Sequence, residues 1–242
     1  MKMFKSKTKL KKTHDKKPKN PVLTVVLMHG IGTDSRSWHK ALKYLEGTSS
    51  MKNVRFITYD WLGFGKSSHS RSLECTYEEQ LLALENALKG IQTPIVLMGH
   101  SLGTLLVARY AFEHKKAIKH LILLSPPVFS RDEIKFITGD PKNNLFYHKC
   151  DPKLLKNRIF LATMDNIVFN IKNQKTFETL TTPTDLIYGE EDQLMSPQNL
   201  KYLAKTNPKY LKLIKTAGHH YISRAKYSKA LEILEGIINE TL

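Results

Sequence analysis

Residues 95–103 hold the pattern that most restricts what this chain can fold into. A short apolar run over 95–98 leads into Gly99-His-Ser-Leu-Gly103, and residues 104–113 after it are apolar at helical spacing. A run of this kind is typical of a buried strand, and the spacing that follows is typical of a helix. The segment therefore predicts a strand, a sharp turn and a helix, with Ser101 at the tip of the turn.

Two interpretations of this turn stay open on the segment alone. In the first, Ser101 is a nucleophile. Gly99 and Gly103 then leave room for the tight turn, and the N-terminus of the next helix directs free N–H groups towards the serine oxygen. In the second, the segment is an ordinary glycine-rich connection between a strand and a helix. The rest of the chain favours the first interpretation.

The remainder of the sequence alternates between strand-like and helix-like segments. Continuous apolar runs bounded by glycine, proline or polar residues predict strands over 22–28, 54–59, 120–125, 184–188 and 210–214. Helical spacing predicts helices over 38–45, 77–88, 197–205 and 226–238. Strands that alternate with helices predict right-handed crossovers and therefore an α/β fold, with a parallel sheet and helices on both faces.

Residues 126–181 do not continue this alternation of strands and helices. Gly139 is the only glycine in the segment, and short amphipathic pieces lie around 132–138 and 152–163. We expect a mostly helical insertion between two strands of the sheet. Its aromatic residues are candidates to bind an apolar substrate group, and an equally open interpretation is that they form the insertion's own core. The candidates for substrate binding are Phe129, Phe136, Phe146 and Phe160.

Half of the excess positive charge lies in the first twenty residues. The formal net charge is +16, and residues 1–20 carry nine lysines and one aspartate, a net of +8. Because almost no apolar residue is present, the segment predicts a disordered basic tail. Weak electrostatic contact with an anionic membrane or another polyanion is one interpretation of it, and a solvated leader is the other. Aromatic residues are absent from it beyond Phe4, which disfavours specific nucleic-acid binding.

Length and composition fit a single soluble domain. A chain of 242 residues with 41% hydrophobic content can bury the core of one α/β domain with an insertion. No apolar run approaches the length of a membrane span, and no apolar segment follows the basic N-terminus as in a secretory signal. Cys75 and Cys150 suggest neither a disulfide framework nor a metal cluster. These features predict a cytoplasmic protein.

The residues that suggest chemistry all follow predicted strands. Sites in an open α/β sheet form at the carboxyl ends of the strands, and Ser101, Asp192 and His219 each come shortly after one. A serine hydroxyl needs a base to take its proton, usually histidine, and a carboxylate then holds the imidazole. We therefore expect Ser101 as nucleophile, Asp192 as acid and His219 as base, in the chain order of one known triad.

Neighbouring residues offer alternatives for two of these roles. His220 adjoins His219, and only one of two adjacent loop residues can direct its ring at the serine. His219 is favoured because it directly follows a glycine. Glu190 and Glu191 lie close to Asp192 and are interpreted as solvated charges.

Other polar residues are interpreted as structural. We expect His29 to be buried and hydrogen-bonded, so that it shapes the loop after it, and His100 to be a packing residue. Asp185 lies within a predicted strand and is interpreted as an edge charge. Asp60 and the glycines at 63 and 65 are expected to shape a turn.

Four motifs give the chain a resemblance to the α/β-hydrolase superfamily from residue 22 onward. His29-Gly-Ile-Gly32 resembles the oxyanion-hole loop, and Asp60-x-x-Gly63-x-Gly65-x-Ser67 resembles the turn after the following strand. Gly99-His-Ser-Leu-Gly103 resembles the nucleophile elbow. Gly189-x-x-Asp192 and Gly218-His219 resemble the turns that carry the catalytic acid and the catalytic base in the family.

The resemblance implies several further features. The backbone N–H groups of Ile31 and Leu102 would form the oxyanion hole, and residues 126–181 would be a small helical cap over a core formed by 21–125 and 182–242. Residues 1–20 stand where the family has a leading pair of strands. We therefore expect a mostly parallel sheet of about six strands.

The activity implied by the resemblance is hydrolysis of a carboxylic ester or related acyl compound through an acyl-enzyme, as in esterases and lipases. No metal or organic cofactor is implied. Cleavage of a C–C bond, a thioester or a lactone, or acyl transfer on the same triad, stays open because the fold does not fix the reaction. A ligand-binding protein without catalysis on the same scaffold is an alternative of another class, although an intact triad argues against it.

Overall fold

The sheet and its helices account for most of the chain. A computed structural model of the protein describes residues 9–67, 69, 71–114, 118–139, 152–190, 192, 197–216 and 228–242. The strands are β1 Lys11–Lys16, β2 Leu23–Met28, β3 Val54–Asp60, β4 Ile95–His100, β5 His120–Leu124, β6 Thr184–Gly189 and β7 Leu211–Thr216. The α-helices are α1 His39–Gly47, α2 Tyr77–Leu88, α3 Leu102–Glu113, α4 Arg131–Gly139, α5 Arg158–Thr163, α6 Lys172–Glu178, α7 Pro197–Thr206 and α8 Ser228–Thr241.

Shorter helical turns complete the described structure. They are 3₁₀ turns at Ser35–Trp38, Ser49–Met51 and Leu154–Lys156, and one π-helical turn at Met164–Val168. Among the helices of the described ranges, none is long and apolar enough to cross a bilayer.

The sheet has seven strands in the order β1-β3-β2-β4-β5-β6-β7. Among the strands of the described residues, β1 alone runs antiparallel to its neighbour, and the pairs from β3 to β7 are all parallel. This arrangement confirms the predicted α/β class with a mostly parallel sheet. Strand β4 lies in the middle of the order, so the turn after it is flanked by strand ends on both sides.

Helices cover both faces of the sheet, as predicted. Along β2, Val26 and Met28 pack into the core that also holds residues of α2 and α3. Val25 and Leu27 point to the opposite core, which holds residues of α1 and α8. This alternation is the two-residue period of a strand that is buried on both faces, and it explains why the run over 23–28 is continuously apolar.

Residues 11–16 form the edge strand β1, so the prediction of a disordered tail over 1–20 is wrong for this part of it. The same strand raises the width of the sheet from the expected six strands to seven. β1 pairs with β3 from Lys11 opposite Asp60 to Lys16 opposite Phe56, with an irregularity in register between Lys12 and His14.

A lysine-rich strand is stable here because it lies at the edge. An edge strand uses one row of backbone groups for pairing, and its lysines remain in water. Carboxylates also balance the charge. Asp15 accepts two hydrogen bonds of 2.8 Å from the Arg55 guanidinium, and Glu46 Oε1 lies 2.6 Å from His14 Nε2. Leu10, directly before the strand, is buried in the core beside α2.

Residues 128–139 and 152–180 supply α4, α5, α6 and the π-helical turn, so the predicted insertion is helical where it is described. Phe160, Ile167 and Phe177 are buried in the core that contains α3. Residues 140–151, with Phe146 and Cys150, lie outside the described part of the chain. That the segment is a cap over the site stays a prediction.

Asp185 is not the edge charge that the sequence suggested. It lies on β6, which has β5 on one side and β7 on the other, and the residue is 3% exposed. His120 Nε2 on the neighbouring β5 lies 2.7 Å from Asp185 Oδ2. Lys212 Nζ on β7 lies 3.9 Å from the other carboxylate oxygen, Oδ1. These two partners, which sequence spacing does not reveal, offset the cost of burying the carboxylate.

Candidate active site

Ser101 occupies the sharp turn that the sequence predicts. β4 ends at His100 and α3 begins at Leu102, and Ser101 between them has φ 49° and ψ −119°. A positive φ is costly for a residue with a side chain, of the order of 1–3 kcal/mol, and such strain is concentrated at functional sites. The Ser101 N–H donates to Leu124 O at 2.9 Å, which ties the turn to β5. The side chain makes no capping hydrogen bond to α3, although it stands at the N-cap position.

Two glycines make this turn sterically feasible. A Cβ at residue 99 would lie 2.6 Å from the carbonyl carbon of Gly103, and a Cβ at residue 103 would lie 2.5 Å from Met28 O. Both distances are shorter than any real side chain tolerates. The sequence-based expectation that Gly99 and Gly103 permit the turn is therefore confirmed, and the reason at 103 is the close approach of α3 to the end of β2.

The loop after β2 passes directly beside Ser101. A Cβ at Gly30 would lie 3.2 Å from Ser101 Cβ and 3.1 Å from His100 Nδ1. Leu102 is the first residue of α3, and the first N–H groups of a helix have no acceptor within it. The structure thus brings the loop that contains Ile31 and the start of α3 to the two sides of one serine.

His29 is buried and hydrogen-bonded, as predicted. Its Nδ1 donates to Gly30 O at 2.7 Å, and its Nε2 accepts a 3.0 Å hydrogen bond from the Trp61 N–H. The Trp61 indole N–H in turn donates to His29 O at 3.1 Å. Burial lowers the pKa of His29, so the ring stays neutral in the tautomer that both contacts require.

Asp60 connects the loop after β2 with the turn after β3. Its Oδ1 accepts from the Ser35 N–H and its Oδ2 accepts from the Lys66 N–H, both at 2.8 Å. The Ser67 hydroxyl donates to Asp60 O at 2.5 Å. Gly65, with φ 52°, lies so close that a Cβ there would overlap the carboxylate. The structural interpretation of Asp60 and this glycine is therefore confirmed.

Asp192 lies at the same edge of the sheet, two strands away from Ser101. It follows β6 in a turn in which its N–H donates to Gly189 O at 3.2 Å, and it is 7% exposed. Because β5 separates β4 from β6, the two strand ends are about 10 Å apart, which leaves room for a third side chain. Glu190 is instead a largely exposed residue whose carboxylate lies 2.5 Å from Lys215 Nζ. Glu191 is outside the described residues.

The candidate bases, His219 and His220, also lie outside the described residues. β7 ends at Thr216, which is paired with Gly189 of β6. The chain therefore leaves β7 at the same edge of the sheet as Ser101 and Asp192. The assignment of Asp192 as acid and His219 as base stays a prediction.

One of the predicted substrate-binding aromatics lies beside the loop after β2. A Cβ at Gly32 would lie 3.6 Å from the Phe160 ring and 3.0 Å from Leu154 Cδ1. Phe160 is 2% exposed, and Leu154 and Ile31 both border the same core. Leu154 and Phe160 thus pack as apolar side chains against the loop after β2.

The other aromatic candidates lie in different surroundings. Phe129 is buried, packs against Phe169 with ring centroids 6.0 Å apart, and lines a cavity of about 230 Å³ beside α7. Phe136 on α4 is 63% exposed. Phe146 lies outside the described residues. Whether any of these residues binds substrate stays a prediction.

The roles of three residues near the site are not evident from the sequence. Trp61 and Ser67 both fall inside the Asp60–Ser67 motif, but nothing in the motif shows that they bond to His29 and to β1. Leu154 falls inside the amphipathic piece over 152–163, whose periodicity indicates a helix but not the loop on which it packs.

A comparison with protein families identifies the class of this protein. A sequence model of the alpha/beta hydrolase fold matches residues 24–144, half of the 242-residue chain. The protein belongs to the alpha/beta hydrolase family.

Its relatives include enzymes named as lipases. Lipase 1 of Psychrobacter immobilis is 26% identical over 229 residues, which cover 81% of this chain and 70% of that protein. Probable lysophospholipase BODYGUARD 1 of Arabidopsis thaliana is 36% identical over 109 residues, 44% of this chain. That match covers only 23% of the plant protein's length.

Solved structures show the same fold across the chain. The monoacylglycerol lipase of Paleococcus ferrophilus superimposes with a TM-score of 0.70 at 21% identity, over 97% of this chain and 100% of that one. At this level of identity the likeness shows the fold alone.

Proposed function

We propose that this protein is a serine hydrolase that cleaves a carboxylic ester through an acyl-enzyme. The observation that carries the proposal is the strained backbone of Ser101, held between two obligatory glycines at the N-terminus of α3 and beside the loop after β2. A strained serine at the carboxyl edge of a parallel sheet, with helix N–H groups behind it, is suited to nucleophilic attack.

In the proposed reaction, Ser101 Oγ attacks the carbonyl carbon of the ester while His219 takes the hydroxyl proton. The carbonyl oxygen becomes an oxyanion, which accepts hydrogen bonds from the N–H groups of Ile31 and Leu102. His219 then gives its proton to the alcohol oxygen as the C–O bond breaks, which leaves the acyl-enzyme. Water attacks this second ester with His219 again as base, the acid is released, and Ser101 regains its proton.

The charges and dipoles near Ser101 favour this sequence of steps. The partial positive charge at the start of α3 lies next to the position of the oxyanion. Each N–H donor to such an oxyanion contributes about 3 kcal/mol to stabilisation of the transition state in comparable sites. Asp192, buried two strands away, would hold the imidazole of His219 and stabilise the imidazolium that forms.

We further propose that the substrate is an ester with an apolar acyl group. Leu154, which is half-buried, lies against Gly32 with the buried Phe160 beside it, so the surface next to the proposed carbonyl site is apolar. The names of the relatives, a lipase and a probable lysophospholipase, agree with such a substrate.

Labelling with a fluorophosphonate probe tests the nucleophile. The wild-type protein is expected to react at neutral pH, and Ser101→Ala is expected to abolish both labelling and ester turnover. Ser125→Ala is the matched control, because Ser125 directly follows the neighbouring strand β5 and has a similar φ of 50° and similar burial. Labelling of the Ser101→Ala variant, or a wild-type protein that does not react, would contradict the proposal.

Paired variants test the other two members of the triad. Asp192→Asn is expected to lower kcat by about 10⁴, because an amide favours the wrong imidazole tautomer, whereas Glu190→Gln leaves kcat unchanged. His219→Ala is expected to reduce kcat as severely, and His220→Ala only mildly. An inactive Glu190→Gln or His220→Ala variant would move the assignment to that residue.

A substrate panel separates ester hydrolysis from the other reactions of this fold. The proposal predicts turnover of p-nitrophenyl esters that depends on chain length, and slower turnover of a thioester, a lactone and a C–C substrate. Turnover of one of these three above every ester would assign the same triad to that chemistry.

A further inference from the structure

The loop after β2 is fixed at both ends by two consecutive residues. Before the loop, Trp61 bonds to His29 through its backbone N–H and its indole N–H. After the loop, Asp60 accepts the Ser35 N–H at 2.8 Å. The position of Ile31 relative to Ser101 therefore depends on where the end of β3 lies.

The end of β3, which pairs with β1 up to Asp60 opposite Lys11, is also bridged to β1 by one side chain. Ser67 Oγ accepts a 2.7 Å hydrogen bond from the Lys11 N–H and donates at 2.5 Å to Asp60 O. The residue is 4% exposed, so water does not readily replace either partner. Lys66, which directly precedes Ser67, donates its N–H to the Asp60 carboxylate. A continuous series of hydrogen bonds thus runs from β1 through Ser67 and Asp60 to the loop beside Ser101.

We propose that Ser67, which accepts the Lys11 N–H and donates to Asp60 O, is a positioning residue for the loop that forms one side of the proposed oxyanion hole. The inference rests on the proposed function, because only a catalytic loop makes its position matter for rate. Removing the Ser67 hydroxyl frees Asp60 O and the Lys11 N–H, so the end of β3 and the loop bonded to it can shift. The Ile31 N–H then meets the developing oxyanion at a longer distance.

This role predicts a specific kinetic effect. Hydrogen bonds to an oxyanion exist in the transition state and not in the bound ester, so a displaced donor lowers kcat and leaves KM unchanged. A displacement of well under 1 Å is expected to lower kcat about tenfold, since a full 1 Å costs about a hundredfold.

Other contacts of β1 provide the matched control. Thr13 Oγ1 lies 2.7 Å from Thr58 Oγ1 and anchors β1 to β3, but neither residue bonds to Asp60 or Trp61. Thr13→Val therefore loosens the same strand without interrupting the series of hydrogen bonds to the loop. A role of β1 in stability alone would affect the two variants alike.

The experiment compares wild type, Ser67→Ala and Thr13→Val in three measurements. The first is kcat and KM on a p-nitrophenyl ester. The second is the affinity of a trifluoromethyl ketone, whose adduct with serine carries an oxyanion. The third is hydrogen exchange of the peptide that contains residues 29–38. For Ser67→Ala we expect about tenfold lower kcat and ketone affinity, unchanged KM, and faster exchange in this peptide. For Thr13→Val we expect wild-type kcat and exchange, with a lower melting temperature.

Two outcomes would overturn the inference alone, provided that the wild type is labelled and turns over esters. One is a Ser67→Ala variant with wild-type kcat and exchange. The other is a Thr13→Val variant that loses as much activity as Ser67→Ala. A wild-type protein that neither reacts with fluorophosphonate nor cleaves esters would instead overturn the proposed function, and the inference with it.

Discussion

The Trp61 N–H donates a 3.0 Å hydrogen bond to His29 Nε2, and the indole N–H of the same tryptophan donates to His29 O. Because His29 Nδ1 donates to Gly30 O, the ring carries its one proton on Nδ1 and its lone pair on Nε2. A second proton, on Nε2, would face an N–H group. The fold therefore requires a neutral imidazole immediately before the loop that contains Ile31.

This requirement predicts a dependence of stability on pH. Burial lowers the pKa of His29 below its ordinary value of 6.5. As the pH falls below 6.5, the unfolded chain binds a proton at this residue that the folded chain does not, so the free energy of unfolding decreases. Melting temperatures measured between about pH 8 and about pH 5 should fall less steeply for His29→Gln than for wild type. The exposed His69 provides the control. The prediction would be contradicted if His69→Gln, and not His29→Gln, reduced the dependence of melting temperature on pH.

The edge strand carries a second, more acidic titration. The hydrogen bond from Arg55 lowers the pKa of Asp15 from 3.8 to about 2. The stability that this carboxylate contributes is complete above pH 3.8 and is lost as the pH falls towards 2. Asp15→Asn should lower the melting temperature by about 2–4 °C at neutral pH and have little effect near pH 2, as measured by circular dichroism. The exposed Asp165 provides the control, and equal effects of Asp15→Asn and Asp165→Asn would show that β1 does not depend on the ion pair.

The strain at Ser101 predicts different stabilities for two substitutions of this residue. Ser101→Ala keeps a Cβ at φ 49°, whereas Ser101→Gly removes the steric cause of the strain. Relief of this strain stabilises the glycine variant, and the greater backbone entropy that glycine loses on folding offsets part of the gain. The glycine variant should therefore be about 1 kcal/mol more stable than the alanine variant. Calorimetry should therefore find its melting temperature higher by about 2–4 °C. A glycine variant that melts below the alanine variant would mean that the backbone at 101 is not strained.

Gly103 and Gly236 provide a matched pair of substitutions. Gly103→Ala would place a Cβ 2.5 Å from Met28 O and should lower the melting temperature by more than about 4 °C, with loss of turnover. In the part of the chain that the structure describes, nothing lies within 4 Å of a Cβ at Gly236 in α8, so Gly236→Ala should stabilise the helix by about 1 kcal/mol. Thermal melts of the two variants measure both effects. A Gly103→Ala variant as stable as wild type would show that α3 does not lie as close to β2 as described.

Local patterns predicted the parts of the fold that depend on local chemistry. The helix predicted over 77–88 has these bounds in the structure, because Thr76 and Glu79 form a capping box and its apolar residues recur at helical spacing. The turn at Ser101 was predictable for the same reason, since two glycines and an apolar run on one side specify it within ten residues.

Features that depend on distant partners were not predictable. β1 has no apolar alternation. It is a strand because it pairs with β3, and Arg55 and Glu46, both far away in the sequence, contact its polar side chains. Asp185 was misinterpreted because the local sequence does not predict the order of strands. It therefore does not predict that His120 lies beside Asp185. Trp61 and Ser67 act through hydrogen bonds of the same long-range kind.

The contact of Leu154 with Gly32 has a consequence for how such an enzyme can diversify. The segment over 152–163 that provides Leu154 and Phe160 is short and contiguous, and it lies beyond residue 144, where the family match ends. Ser101, Ile31 and Leu102 all lie before that residue. Recombination that exchanges only the segment over 152–163 would therefore replace the proposed acyl-binding wall while the proposed nucleophile and both proposed oxyanion donors are inherited unchanged.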